Sequence, residues 1–166
     1  MAAINVLVLC TRNSARSILG EALLNELGAG RVHAFSAGSK PMGELHSGTV
    51  RLLIREGFKP ETFRSKSWNE FTQPGAPEMD IVITVCGNAA GEACPVFPGR
   101  AVRAHWGLPD PAQIDGDKKA QDTAFERTYD LLRRRVEAFL ALQFETMTGD
   151  VLRANLNAIG VLEGAA

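Results

Sequence analysis

Val6-Leu7-Val8-Leu9-Cys10-Thr11-Arg12-Asn13-Ser14-Ala15-Arg16-Ser17 decides how this chain is read. Residues 4–9 are apolar and read as a buried strand, and residues 18–27 read as a helix. A thiol therefore sits where a strand ends, and an arginine sits where a helix begins. The first turn of a helix leaves backbone N–H groups unpaired and carries partial positive charge. Those amides, the loop Thr11, Arg12, Asn13, Ser14, Ala15 and the Arg16 guanidinium form a cradle for a tetrahedral oxyanion. The same field favours a Cys10 thiolate and lowers its pKa. A cysteine at a strand end also fits a small buried apolar residue. The compact polar side chains of Asn13, Ser14 and Ser17, and the strand–loop–helix frame, favour a nucleophile in an anion cradle.

Outward from this stretch, strand-like and helix-like runs alternate. Residues 32–37 and 81–85 read as strands, and 101–104 as a short fourth strand. Residues 46–56 and 121–143 read as amphipathic helices, the first stopped by Gly57. Residues 60–77 look irregular, with one helical turn near Trp68–Phe71. Alternation of this kind argues an α/β fold with a parallel sheet covered on both faces. Ligands in such folds bind beyond the carboxyl ends of the strands. Cys10, Cys86 and Asp110 each follow a strand, so they are expected on one rim.

The chain has 166 residues, 45% of them hydrophobic and 22% charged, which suits one soluble domain. Its net charge of −1 supplies no basic field for nucleic acid or for a membrane surface. No apolar run reaches the length of a membrane span, and no signal peptide is visible. Three cysteines without a secretory signal suggest working thiols in a reducing cytoplasm.

Cys86-Gly-Asn-Ala-Ala-Gly-Glu-Ala-Cys94 carries two of those thiols across small residues. Two unrelated cysteines would also fit. With Cys10 present, the arrangement suggests a relay. Neighbouring strands lie about 4.8 Å apart, and a disulfide needs Cα atoms roughly 4.4–6.8 Å apart. Cys86 would thus reach Cys10 if the first and third strands pair. The spacing suits neither a C-x-x-C redox pair nor a zinc site, and no metal is expected. Asp110 lies between Pro109 and Pro111, which stiffen its backbone. An ordinary turn aspartate fits that position. So does a general acid held over the cradle to protonate a departing oxygen.

Three separated motifs carry a family resemblance: Val-Leu-Cys-Thr-Arg-Asn-Ser-Ala-Arg-Ser, Val-Ile-Thr-Val-Cys-Gly-Asn-Ala-Ala-Gly-Glu-Ala-Cys-Pro and His-Trp-Gly-Leu-Pro-Asp-Pro-Ala. The chain resembles the arsenate reductases built on the low-molecular-weight tyrosine phosphatase fold. That resemblance implies a single three-layer domain over residues 1–147 with a four-stranded parallel sheet flanked by helices. It implies Cys10 as nucleophile, Arg16 as oxyanion binder and Asp110 as general acid. Asn13 would shape the loop, Ser17 would stabilise the thiolate, and Cys86 and Cys94 would be shuttle cysteines. The chain departs from the family at Arg12, where glycine is usual, and in a Cys86–Cys94 interval one residue longer. Some members hold potassium through residues matching Asn13, Glu21 and Ser36. The acidic ligand expected near residues 65–68 is missing here, so that site is not expected. Residues 148–166 form an extension read as a short helix, docked on the body or on a second subunit.

Arsenate, phosphate and sulfate are all tetrahedral oxyanions, so the cradle alone does not choose a reaction. Reduction of arsenate to arsenite takes two electrons, and no flavin or nicotinamide fingerprint is present. Thiols must supply them. The leading expectation is a cytoplasmic arsenate reductase in arsenical resistance, working as a monomer or weak homodimer. It would use a redox-active disulfide and an external reductant, thioredoxin or glutathione with glutaredoxin, and no bound cofactor. A phosphatase forming a phosphocysteine needs neither Cys86 nor Cys94, and it usually places an aromatic where Ala112 stands. A non-enzymatic oxyanion-binding module is the third reading.

Overall fold

The unbroken apolar run Val6–Leu9 makes β1 (Ile4–Cys10) a strand buried on both faces from Val6 onward. The structure, a computed structural model, describes residues 2–87, 97 and 99–164. After β1 come α1 (Arg16–Gly28), β2 (Val32–Gly38), α2 (Ser47–Arg55), β3 (Ile81–Thr84), β4 (Val102–His105), α3 (Lys118–Leu140) and α4 (Gly149–Gly160). The strands form one sheet in the order β2-β1-β3-β4, every neighbour parallel. The first and third strands therefore do pair, with Leu9 opposite Thr84. This places the ends of β1 and β3, and with them Cys10 and Cys86, side by side.

Side chains along a strand alternate between faces. Val6, Val8, Ile81 and Ile83 join the larger apolar cluster, which also takes buried apolar side chains from each of the four described helices. Leu7, Leu9 and Val82 join a smaller cluster with Phe71, Met79 and Phe97. Cover is thus unequal among the described residues. The helices crowd the first face, while the turn Trp68–Phe71 and Phe97 close the second.

Helix ends shift slightly from the sequence reading for a local reason. α3 starts at Lys118, before its first apolar stripe, because the Asp117 carboxylate accepts the Ala120 N–H at 2.9 Å. Residues 60–77 hold a second short turn, Pro60–Thr62, where proline opens the helical geometry. No helix among the described residues is long and apolar enough to cross a membrane.

Candidate active site

The loop between β1 and α1 is built to expose backbone donors. Its last residue, Ala15, is the N-cap of α1 and makes no side-chain capping bond, so the first-turn amides stay open to an anion. Asn13 adopts a left-handed conformation, φ 48°, and is fully buried. Asparagine tolerates that conformation better than most residues. Its side chain serves both neighbours: Nδ2 donates to Ser17 Oγ at 2.8 Å, and Oδ1 accepts the Lys66 N–H at 2.9 Å. Ser17, also fully buried, therefore accepts from Asn13 and keeps its own hydroxyl hydrogen for another partner. Gly38, at the end of β2, lets the loop close over the sheet. A Cβ there would collide with the Thr11 carbonyl oxygen and lie 2.8 Å from that of Cys10.

Cys10 and Cys86 are both buried and lie in side-chain hydrogen-bond contact as thiols, not as a disulfide. Cys86 also lies 3.6 Å from Thr11 Oγ1. The expectation of a lowered Cys10 pKa is not met in this arrangement. The Cys86 contact, and then burial, push the Cys10 thiol well above its ordinary range, against the pull of Arg16 and the Thr11 N–H. The Arg16 guanidinium donates to the Leu108 carbonyl at 2.7 Å and lies 3.5 Å from the Asp110 carboxylate. Its Nε is buried with no hydrogen-bond partner. A buried guanidinium N–H left open beside the cradle suits an incoming oxyanion.

Asp110 caps the turn Pro111–Gln113, its carboxylate accepting the Ala112 N–H at 3.0 Å. It lines an open cavity of about 200 Å³ together with Cys10, Thr11, Arg12, Ser14 and Arg16. Ala15 lines it as well. The structure thus brings Cys10, Thr11, Arg12, Ser14, Ala15, Arg16 and Asp110 to one cavity, with Cys86 against Cys10 and with Asn13 and Ser17 supporting the loop beneath. Cys94 lies outside the described residues.

Two residues carry roles that sequence reading missed. His46 lines the cavity, its backbone N–H donates to Ser14, and its ring stacks on Phe125. Its Nδ1 accepts the Gly48 N–H at 3.0 Å, so a neutral ring carries its proton on Nε2. The signal was its place before the helix at 47–55, where an N-cap belongs. Lys66 lies behind the loop, its ammonium donating to the Arg64 carbonyl at 2.8 Å and 3.8 Å from Glu21. Glu21 in turn accepts from Ser36 Oγ at 2.8 Å. Burial raises the Glu21 carboxyl and lowers the Lys66 ammonium from their ordinary ranges. The position left without an acidic residue is thus one where a lysine supplies a cation to Glu21. Among the described residues, no group of three or more His, Cys, Asp or Glu side chains converges as metal ligands.

The model of the low molecular weight phosphotyrosine protein phosphatase family matches residues 5–151. The chain belongs to this family. Within it, the arsenate reductase of Bacillus licheniformis is 31% identical over 132 residues, covering 79% of this chain and 91% of that protein. Among solved structures, an arsenate reductase from Archaeoglobus fulgidus superposes with a TM-score of 0.64 at 26% identity, over 82% of this chain and 99% of its own. A thioredoxin-dependent arsenate reductase of Corynebacterium glutamicum gives 0.54 at 26% identity, over 79% of this chain and 59% of its own. The family frame accounts for β1 through α3. It ends within the first turn of α4.

Proposed function

We propose that this chain is an arsenate reductase that converts arsenate to arsenite through a thiol relay begun at Cys10. The observation that carries the reading is the Cys10–Cys86 contact beneath the anion cradle. Ester hydrolysis needs a single sulfur; reduction needs a second one within reach. Cys10 attacks arsenic and gives up its thiol proton, Asp110 passes a proton to an arsenate hydroxyl that departs as water, and a Cys10–arsenic bond forms. Cys86 sulfur then attacks Cys10 sulfur. The sulfur–arsenic bond breaks, its electron pair stays on arsenic, and arsenite leaves as a Cys10–Cys86 disulfide forms. Cys94 next attacks Cys86, returning Cys10 to the thiol and moving the oxidation to a Cys86–Cys94 disulfide. An external dithiol reduces that bond; the thioredoxin-dependent relative favours thioredoxin over glutathione with glutaredoxin. The cytoplasm, where such reductants are kept reduced, is the compartment this chemistry needs.

Arsenate turnover measured with each reductant separately, beside hydrolysis of p-nitrophenyl phosphate, tests the reading. Turnover with thioredoxin and its reductase is expected. Peptide mapping after one equivalent of arsenate should find Cys86–Cys94 in the wild type and Cys10–Cys86 in Cys94→Ser. Aryl phosphate hydrolysis without arsenate reduction would instead establish the phosphatase. Full-rate reduction by Cys86→Ser/Cys94→Ser would replace the internal relay with an external thiol.

A further inference from the structure

The loop that carries Asp110 rests on a helix that lies almost wholly beyond the family match. α4 runs beside β4, the edge strand of the sheet. Three contacts join it to the residues that lead into the acid loop. Trp106 is buried and its indole Nε1 donates to the Leu156 carbonyl at 2.9 Å. The His105 N–H, at the open edge of β4, donates to Asn157 Oδ1 at 3.2 Å. Gly160 sits directly on the His105 carbonyl; a Cβ there would collide with that oxygen and press the Trp106 ring at 3.1 Å. Leu156, Ile159 and Leu152 bury their side chains in the main core. The Trp106 ring also meets Phe139 of α3 edge-on.

Among the described residues, the other holds from Trp106 to the acid are the buried Leu108, the β3 side and Arg16. Trp106 N–H donates to Thr84 and Leu108 N–H to Val85, both on the β3 side, and the Leu108 carbonyl takes Arg16. We propose that α4 is a positioning element for the general acid: through Trp106, Asn157 and Gly160 it fixes the segment 105–110 so that Asp110 stands over the cradle. This rests on the reading of Asp110 as the acid. α4 touches no substrate and acts only through that loop.

Gly160→Ala is the sharpest variant, because the added methyl must push α4 off His105. Trp106→Phe and Asn157→Ala remove one hydrogen bond each without a new collision, and stand in if Gly160→Ala does not fold. Backbone hydrogen exchange reads the geometry without reference to any reaction. The Ala112 N–H reports the Asp110 carboxylate that it donates to, and the Leu108 N–H reports the loop. Faster exchange at both, with residues 11–17 unchanged, is expected. Single-turnover arsenate reduction should fall roughly 10-fold, a fraction of the 10²–10⁴-fold that general acids typically contribute. Iodoacetamide alkylation of Cys10 should keep its wild-type rate. In an Asp110→Asn background, Gly160→Ala should slow the reaction no further, because coupled residues are not additive. Wild-type exchange at Leu108 and Ala112 in a variant whose residues 152–159 have loosened overturns the proposal. An equal loss of rate with and without Asp110 also overturns it. If wild-type protein does not reduce arsenate, the reaction assigned above fails, while the exchange pattern still decides whether α4 holds the loop.

Discussion

The loop that carries the nucleophile and the loop that carries the acid are held in opposite ways. Residues 11–15 are tied from many directions: Lys40, Met42 and His46 amides donate to the carbonyls of Thr11, Arg12 and Ser14. Thr49 Oγ1 and Ser65 Oγ add bonds to Ser14 and Arg12, and the Lys66 amide holds the Asn13 side chain. Residues 106–110 have β3 on one side, Arg16 below and α4 behind. The first loop is over-determined and serves anion binding, which tolerates no drift of its amides. The second rests on few holds, one from a remote helix, and serves a proton transfer whose partner arrives and leaves. Changes beneath the cradle should therefore appear mainly in stability and anion affinity, and changes around the acid mainly in rate.

The largest effect expected is from Cys10→Ser, which should abolish arsenate reduction while phosphate still binds, measured by turnover and calorimetry. Residual turnover would assign the attack to another thiol. Asp110→Asn should slow adduct formation by about 10²–10⁴-fold in single-turnover experiments, with oxyanion affinity close to wild type. A wild-type rate would remove the acid role and, with it, the contrast between the two loops.

Gly38→Ala tests the cradle from below. Its methyl collides with backbone rather than with a movable side chain, so a loss of about 3 kcal/mol in denaturant unfolding is expected, accompanied by loss of phosphate binding. Normal phosphate affinity would mean that the loop has slack. Lys66→Met leaves the buried Glu21 carboxylate without its cation and should lower stability by about 2 kcal/mol. The sign with pH follows from Glu21. Burial has already raised its carboxyl in the folded protein, so protonation favours the fold. The deficit should be smallest at acidic pH and grow as pH rises through the folded-state pKa of Glu21. Glu21→Gln in the same chain should flatten that dependence; a slope that persists would place the titration elsewhere.

The smallest change expected is electronic. Cys86→Ala removes the contact that most raises Cys10, leaving Arg16 and the Thr11 N–H to pull the thiol down. The midpoint of thiolate absorbance, followed against pH, should fall by at least about one unit. An unchanged midpoint would mean that burial, not the neighbouring sulfur, keeps the proton on Cys10.

The strand–loop–helix frame, the nucleophile and the phosphate-like cradle were legible because they are local. An apolar run, a polar turn and Arg16 at a helix start lie within consecutive residues, and periodicity with capping chemistry constrains them directly. The rim position of Asp110 was legible once the strands were counted, since parallel sheets gather ligands at their carboxyl ends. What depends on distant parts of the chain was legible only in part. The Cys10–Cys86 contact followed on the condition that β1 pairs with β3, and that pairing, with Leu9 opposite Thr84, is set by the folded sheet. A lowered pKa at Cys10 follows from the helix terminus alone, yet the neighbouring sulfur and burial reverse it, and neither is written in the local sequence. Lys66 and Gly160 look like an ordinary charge and an ordinary glycine in one dimension. Burial gives Lys66 its partner, and the close approach of α4 to His105 allows nothing larger at Gly160. Hydrogen bonds and hydrophobic periodicity act between near neighbours and so leave a trace in the sequence. Desolvation and steric contact act between surfaces that only the folded chain brings together.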